Sequence, residues 1–239
     1  MYETLRIVGD IKPKVVLWEN VKNVLGKKHI HNFDAYVAAL KDFGYNSYYK
    51  VLCAADYGIP QNRERVYVVS IRKDIDNENF KFPEPFELKL RLKDMLDDEV
   101  DEKYYLSTKK INSIAHWKAY QKPFERVLGK NSICPTLTAR GAGEEHSGMI
   151  IYCESLENNT NLQEYCLNIE SNPPLRMRKI TPKEAWKLMA FSEEDFKKVE
   201  GIMTDRLLYK QAGNSICVNV LMEIYKEIQK QIPDVFKTK

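Results

Sequence analysis

The chain has 239 residues, of which 44% are hydrophobic and 30% charged, with a negative mean hydropathy. That balance excludes a disordered tail and a disulfide-stapled miniprotein, and it leaves room for one to two domains with a real core. The net charge of +3, from 37 basic and 34 acidic residues, neither demands nor excludes a polyanionic partner, because a local patch matters more than the sum.

No window approaches the roughly 18 consecutive apolar residues of a spanning helix. Glu3, Arg6 and Asp10 interrupt the first apolar residues, so a cytoplasmic location without membrane contact is the expectation. The five cysteines, Cys53, Cys134, Cys153, Cys166 and Cys217, form no CxxC and have no histidine at metal-ligand spacing. They read as reduced structural thiols, and no metal is expected.

Along the chain, Tyr2 to Gly9 reads as a helix broken by Gly9 and Pro13. Val15 to Trp18 is a short apolar run suited to a strand buried on both faces of a parallel sheet. Phe33 to Phe43 has helical spacing, with Gly44 as its stop. Tyr45 to Leu52 and Arg65 to Ile71 read as further strands, and the alternation argues for a layered α/β sheet. From about Asp74 the period breaks at Pro83, Pro85 and the acidic run Asp94 to Glu102, which reads as a solvated loop. The stretch that follows looks like a smaller mixed domain inserted into the α/β part. After Pro173-Pro174, Thr181-Pro182-Lys183-Glu184 has the form of a capping box with proline in the first turn. Ser215 to Gln229 reads as a last helix with Cys217, Leu221, Ile224 and Ile228 on its apolar stripe.

Three clusters carry chemistry. Glu19, with Asn20, follows the Val15–Trp18 strand. At the carboxyl end of a strand it would face a ligand crevice, and its alternative is a capping or salt-bridged carboxylate. In Pro60-Gln61-Asn62-Arg63-Glu64-Arg65, an extended backbone would put Arg63 and Arg65 on one face. Two guanidinium groups entering an apolar strand need an anion, a polar ligand or structural ion pairs. Tyr209 to Ser215 reads as a loop opening the last helix. Gly213 would permit an unusual backbone angle there, and Asn214 or Ser215 would cap the helix, with or without a ligand on the exposed amides.

In this order the clusters resemble the DNA (cytosine-5)-methyltransferase family. Glu19-Asn20-Val21 is similar to its Glu-Asn-Val motif, and Pro60 to Arg65 to its Gln-x-Arg-x-Arg motif. Arg178 to Glu184, continuing to Phe191, resembles the segment that orients the recognition region, and Gln211 to Ser215 resembles the last motif. The resemblance covers residues 1–73 and 176 to about 232. It implies a partial Rossmann-like methyltransferase sheet, residues 1–73 and 176–239, with an inserted mixed target-recognition domain over 74–175. It also implies double-stranded DNA as partner, S-adenosylmethionine as cofactor, and transfer of a methyl group to C5 of a flipped cytosine. Glu19 would hold ring N3 and the exocyclic amine, and Asn20 would fix that loop. Arg65 would meet O2, and Arg63 would support the active-site loop or a phosphate. Asn214 and Ser215 would line the cofactor pocket. Thr136, Leu137 and Arg140 would approach DNA.

The sequence departs from the family pattern at its start. Only 18 residues precede Glu19, and neither the glycine-rich cofactor motif nor the Pro-Cys-Gln nucleophile segment is present. Cys53 and Cys134 do not match the nucleophile's context. The expectation is a C-terminal part or subunit, inactive alone and completed by a separate N-terminal fragment. The alternatives are a non-catalytic sequence-specific DNA-binding remnant and, more weakly, an enzyme acting on RNA.

Overall fold

The computed structural model describes residues 2–115, 127–139, 150–154, 156 and 176–236. In chain order the elements are α1 (Tyr2–Ile11), β1 (Val15–Val21), α2 (Ile30–Asp42), β2 (Tyr45–Cys53), β3 (Gln61–Asn62), β4 (Glu64–Arg72), α3 (Thr108–Ala115), β5 (Val127–Leu128), β6 (Cys134–Pro135), β7 (Ile151–Cys153), β8 (Met177–Lys179), α4 (Pro182–Lys187), α5 (Glu193–Lys197), α6 (Asp205–Asn214) and α7 (Val218–Gln231). None of the helices is long and apolar enough to cross a membrane, among the described residues. The chain divides into two compact units. The first comprises Met1–Cys53, Glu64–Phe86 and Val220–Lys239; the second comprises Ala54–Arg63 and Glu87–Asn219.

The first unit is a three-stranded sheet in the order β1-β4-β2, with both pairings antiparallel. This corrects the expectation of a parallel sheet with Val15 to Trp18 buried on both faces. The fully buried run is Val66 to Ile71 of the central strand β4, whereas β1 at the edge is mostly half-buried. A strand flanked on both sides is the one that reads as continuously apolar. The helix α2 buries Phe33, Tyr36 and Leu40. Trp18 joins the helix to the sheet, its ring 4.9 Å from Tyr36 and 6.2 Å from Phe33. Gly44, at φ 90, ends the turn after α2 in a backbone conformation that side chains disfavour.

The α1 helix does not break at Gly9 but continues to Ile11 and ends before Pro13. A helical glycine costs only about 1 kcal/mol relative to alanine, so the tertiary position decides. A Cβ at residue 9 would meet the Phe43 ring at 3.5 Å, an ordinary van der Waals contact. At the other end of the unit, α7 turns Val220, Ile224 and Ile228 inward. Gln231 clamps the backbone of Lys81, accepting from its amide and donating to its carbonyl, both at 2.8 Å.

Among the described residues, the second unit holds two small sheets: a parallel pair, β3 with β6, and the mixed sheet β5-β7-β8. The predicted capping box forms. The Thr181 hydroxyl accepts from the Glu184 amide at 3.1 Å and the Glu184 carboxylate accepts from the Thr181 amide at 2.7 Å. Trp186 of α4 donates its indole proton to the Leu208 carbonyl at 3.0 Å and packs on Phe191 and Phe196. The acidic run is structural rather than merely solvated. Asp97 pairs with Lys187 at 2.7 Å and Lys183 at 3.2 Å, Asp94 accepts from the Arg91 amide, and Asp101 caps a short 3-10 turn.

Candidate active site

Within the sheet unit, β1 and β4 bring Glu19 and Arg65 together. The register sets Glu19 opposite Tyr67 and Val21 opposite Arg65, so Glu19 and Arg65 are diagonal neighbours on one face. The Arg65 Nε lies 3.1 Å from Glu19 Oε1, with the two side chains 14% and 16% exposed. Arg65 also donates to the Glu64 carbonyl at 2.8 Å. The strand runs two residues beyond Glu19, so the carboxylate sits inside the strand and not just past its end. Of the readings left open by the sequence, the salt-bridged carboxylate is the one observed. A pair of this exposure remains reachable by a ligand. Asn20 turns its side-chain oxygen to the Val21 amide at 2.8 Å, fixing the backbone beside Glu19.

Within the second unit, Arg63 precedes β4 and is buried. Its guanidinium donates to the carbonyls of Leu137 at 2.8 Å, Gly213 at 3.0 Å and Ser215 at 2.7 Å. Arg63 therefore does not share a strand face with Arg65 as expected. Backbone oxygens surround its charge, and it ties three distant stretches of chain to one point. Gln61, fully buried, does the same work beside it. Its amide donates to the Leu188 carbonyl at 2.6 Å and its oxygen accepts from the Leu137 amide at 3.1 Å. Gln61 lies within the arginine motif, but with Asn62, Arg63 and Glu64 following it no local pattern signals its burial.

Thr136 is half-buried and donates its hydroxyl to the Asn62 carbonyl at 2.6 Å, while the Leu137 side chain is only 1% exposed and packs inward. Arg140 lies outside the described residues. Cys134 is fully buried, and burial pushes its thiol well above the usual range, which suits a structural cysteine.

Tyr209 to Asn214 is helical, forming the end of α6, and Ser215 is its C-cap. The expected loop opening the last helix is thus a helix closing, and α7 begins at Val218. Its buried stripe is Val220, Ile224 and Ile228; Leu221 is only half-buried, and Cys217, though buried, precedes the helix. Gly213 does not use a left-handed backbone. It is small because a Cβ there would fall on the backbone of Thr138 and Ala139. Ser215 returns its hydroxyl to the Gln211 carbonyl at 2.7 Å, whereas the Asn214 side chain is exposed. The carbonyls of this helix end are already taken, those of Gly213 and Ser215 by the Arg63 guanidinium and those of Gln211 and Ala212 by Ser215, so the negative end of the helix is met by the protein's own cation.

The family model for C-5 cytosine-specific DNA methylase matches residues 1–230. The chain is 32% identical over 230 residues to the type II methyltransferase M2.ScrFI of Lactococcus lactis subsp. cremoris, covering 96% of this chain and 58% of that protein. It is 33% identical to the type II methyltransferase M.Bsp6I of Bacillus sp. (strain RFL6), covering 97% of this chain and 70% of that protein. In fold, it is similar to the Dnmt2 methyltransferase of S. pombe, with a TM-score of 0.70 at 20% identity over 96% of this chain and 72% of that one. The methyltransferase EhMeth of Entamoeba histolytica also gives a TM-score of 0.70, at 22% identity over 91% of this chain and 63% of that one. The chain thus spans between about three fifths and three quarters of these proteins' lengths.

Proposed function

Because the chain belongs to the C-5 cytosine-specific DNA methylase family, we propose that Glu19 and Arg65 hold the edge of a cytosine taken out of duplex DNA, so that its C5 receives a methyl group. The observation that carries this reading is their pairing at 3.1 Å on one sheet face. The hydrogen-bonding edge of cytosine presents an amine donor, the ring N3 acceptor and the O2 acceptor. A carboxyl group beside a guanidinium is complementary: Glu19 accepts from the amine and places a proton at N3, and Arg65 donates to O2. Protonation at N3 draws electrons from the ring and makes C6 open to attack by a thiolate. Asn20, through the Val21 amide, keeps the Glu19 backbone in register.

S-adenosylmethionine, when bound, supplies an electrophilic methyl group. Asn214, exposed at the end of α6, is the side chain that would make a polar contact to it. Ser215 serves by ending that helix. Arg63 acts as a positioning residue, holding the Leu137 and Ser215 backbones. In this proposal residues 74–175 are the target-recognition domain. Thr136 and Arg140 approach the duplex, and Leu137 supports that segment from within. The sequence contains no Pro-Cys-Gln segment, and Cys134 is buried with its thiol pushed up. We therefore place the nucleophile and the glycine-rich cofactor turn on polypeptide outside these 239 residues, and expect the isolated chain to be inactive.

Methyl transfer from labelled cofactor to duplex DNA tests this. The chain alone should be silent, and it should become active when mixed with a fragment carrying the two missing motifs. Glu19→Gln should lower the rate of the mixture by roughly 10²–10⁴-fold while leaving DNA binding intact. Full turnover by the chain alone would refute the need for a second segment, and undiminished transfer by Glu19→Gln would remove Glu19 from the mechanism. DNA binding without transfer in any mixture would point to a binding remnant.

A further inference from the structure

The sheet of the first unit has two edges, and they are built differently. At one edge, β2 carries Asn46, Ser47 and Lys50, polar and charged groups of the kind that blunt an edge against further pairing. At the other, β1 opens with Val15-Val16-Leu17-Trp18 and meets its first charge only at Glu19. The register decides which of its groups face outward. The Lys14 carbonyl accepts from the Arg72 amide at 3.0 Å, so the even positions Val16, Trp18 and Asn20 exchange bonds with β4. The odd positions Val15 and Leu17 therefore aim their amides away from the sheet, and neither amide has a partner among the described residues. Val21 faces outward in the same register, but its amide donates to the Asn20 side-chain oxygen at 2.8 Å. Asn20 thus closes the edge just past Glu19 and leaves the apolar stretch open.

An open apolar strand edge without a charge, a proline or a cover is a template for another strand. The helix packed against β1 adds apolar surface. Leu5 and Val8 of α1 join Val16 and Trp18 in one cluster, while Ile7 and Ile11 of the same helix stay exposed, as does Val21 at the end of β1. The chain spans only about three fifths of the length of some of its relatives, and the function proposed above needs two motifs that these residues lack. We propose that the β1 edge is the docking site of the polypeptide that carries those motifs, which adds a strand alongside Val15 to Trp18. That strand is apolar on both faces, because Val15 and Leu17 flank it on one side of the sheet and Val16 and Trp18 on the other. Neighbouring strands lie about 4.8 Å apart, so the added strand brings its chain beside Glu19, the next residue along. The identity of the occupant rests on the function proposed above; the open edge does not.

The test mixes this chain with a fluorescent fragment carrying the glycine-rich and Pro-Cys-Gln motifs and follows association by anisotropy, with neither DNA nor cofactor present. Proline is tolerated on an edge strand where the amide proton it removes would have faced outward. Leu17→Pro should therefore keep the parent's urea midpoint and weaken association by about tenfold or more. On β2, the Gly44 carbonyl accepts from the Lys73 amide, so Tyr49 is an outward position of the opposite edge. Tyr49→Pro makes the same change there and should leave association unchanged. Amide exchange gives a reading free of substitution, and it decides if Leu17→Pro lowers the urea midpoint. The Val15 and Leu17 amides should exchange roughly tenfold or more slowly once the fragment is bound, and the Ser47 and Tyr49 amides at unchanged rates. No association of the parent chain, undiminished association of Leu17→Pro, or unprotected Val15 and Leu17 amides in the complex would overturn the proposal. Methyl transfer is judged separately, by label incorporation: transfer by a mixture in which these amides stay unprotected would keep the function and discard the edge.

Discussion

Tyr36 is fully buried in the sheet unit, yet its hydroxyl has no hydrogen-bond partner among the described residues. Burial pushes its pKa up to about 12 from an ordinary value near 10. Below pH 10 the phenol is neutral in both states. Between about 10 and 12 the unfolded chain loses its proton first, so stability falls across that window as pH rises. Tyr36→Phe removes an unpaired polar atom without changing the ring. It should be at least as stable as the parent at pH 8 and should lose this share of the alkaline decline. Urea midpoints at pH 8 and pH 11 measure both, and a variant clearly weaker at pH 8 would mean that the hydroxyl has a partner. The two arginines of the Pro60–Arg65 segment show how far single residues could be read. Their presence marked a charged cluster in an apolar context, and Glu19 was legible for the same reason. Their roles were not legible, because the oxygens that hold Arg63 lie 74, 150 and 152 residues away in sequence.

The junction of β8 with α4 buries an ion pair. Arg178 and Glu184 are 3% and 0% exposed and form two short bonds, at 2.7 and 2.8 Å. Burial works against the guanidinium's charge, and the carboxylate more than restores it, moving its pKa up. Glu184 also accepts from the Thr181 and Asp97 amides, so one carboxylate fixes a helix start and a loop. Arg178→Met would leave that carboxylate buried without its cation, at an expected cost of about 3–5 kcal/mol in chemical denaturation. The double variant Arg178→Met/Glu184→Leu should recover much of the loss, and equal destabilisation of both would show that the pair is not the cause. The capping box of this helix was legible because its rule is local, four residues long. The end of α6 was not. Ala212-Gly213-Asn214 has the composition of a turn, but its glycine answers the approach of another backbone, a requirement that appears only after folding.

At the scale of the whole molecule, a net charge of +3 predicts little about binding, because position outweighs the sum. On α7, Lys226 and Lys230 are already paired with Glu223 and Glu227. Lys226→Ala/Lys230→Ala removes two positive charges, yet it should change affinity for duplex DNA at 100 mM salt by no more than roughly twofold, since each lysine is locally balanced. A roughly tenfold loss would make the effect one of net charge. The α/β class, most element positions, the family and the absence of its two early motifs all followed from the amino-acid sequence, because periodicity, capping and motif order are carried by neighbours in the chain. Folding decided the antiparallel sheet with β4 at its centre, the pairing of Glu19 with Arg65 and the burial of Arg63 among carbonyls. Each depends on groups that chain order keeps apart, and only tertiary packing sets the distances at which charges and hydrogen bonds act.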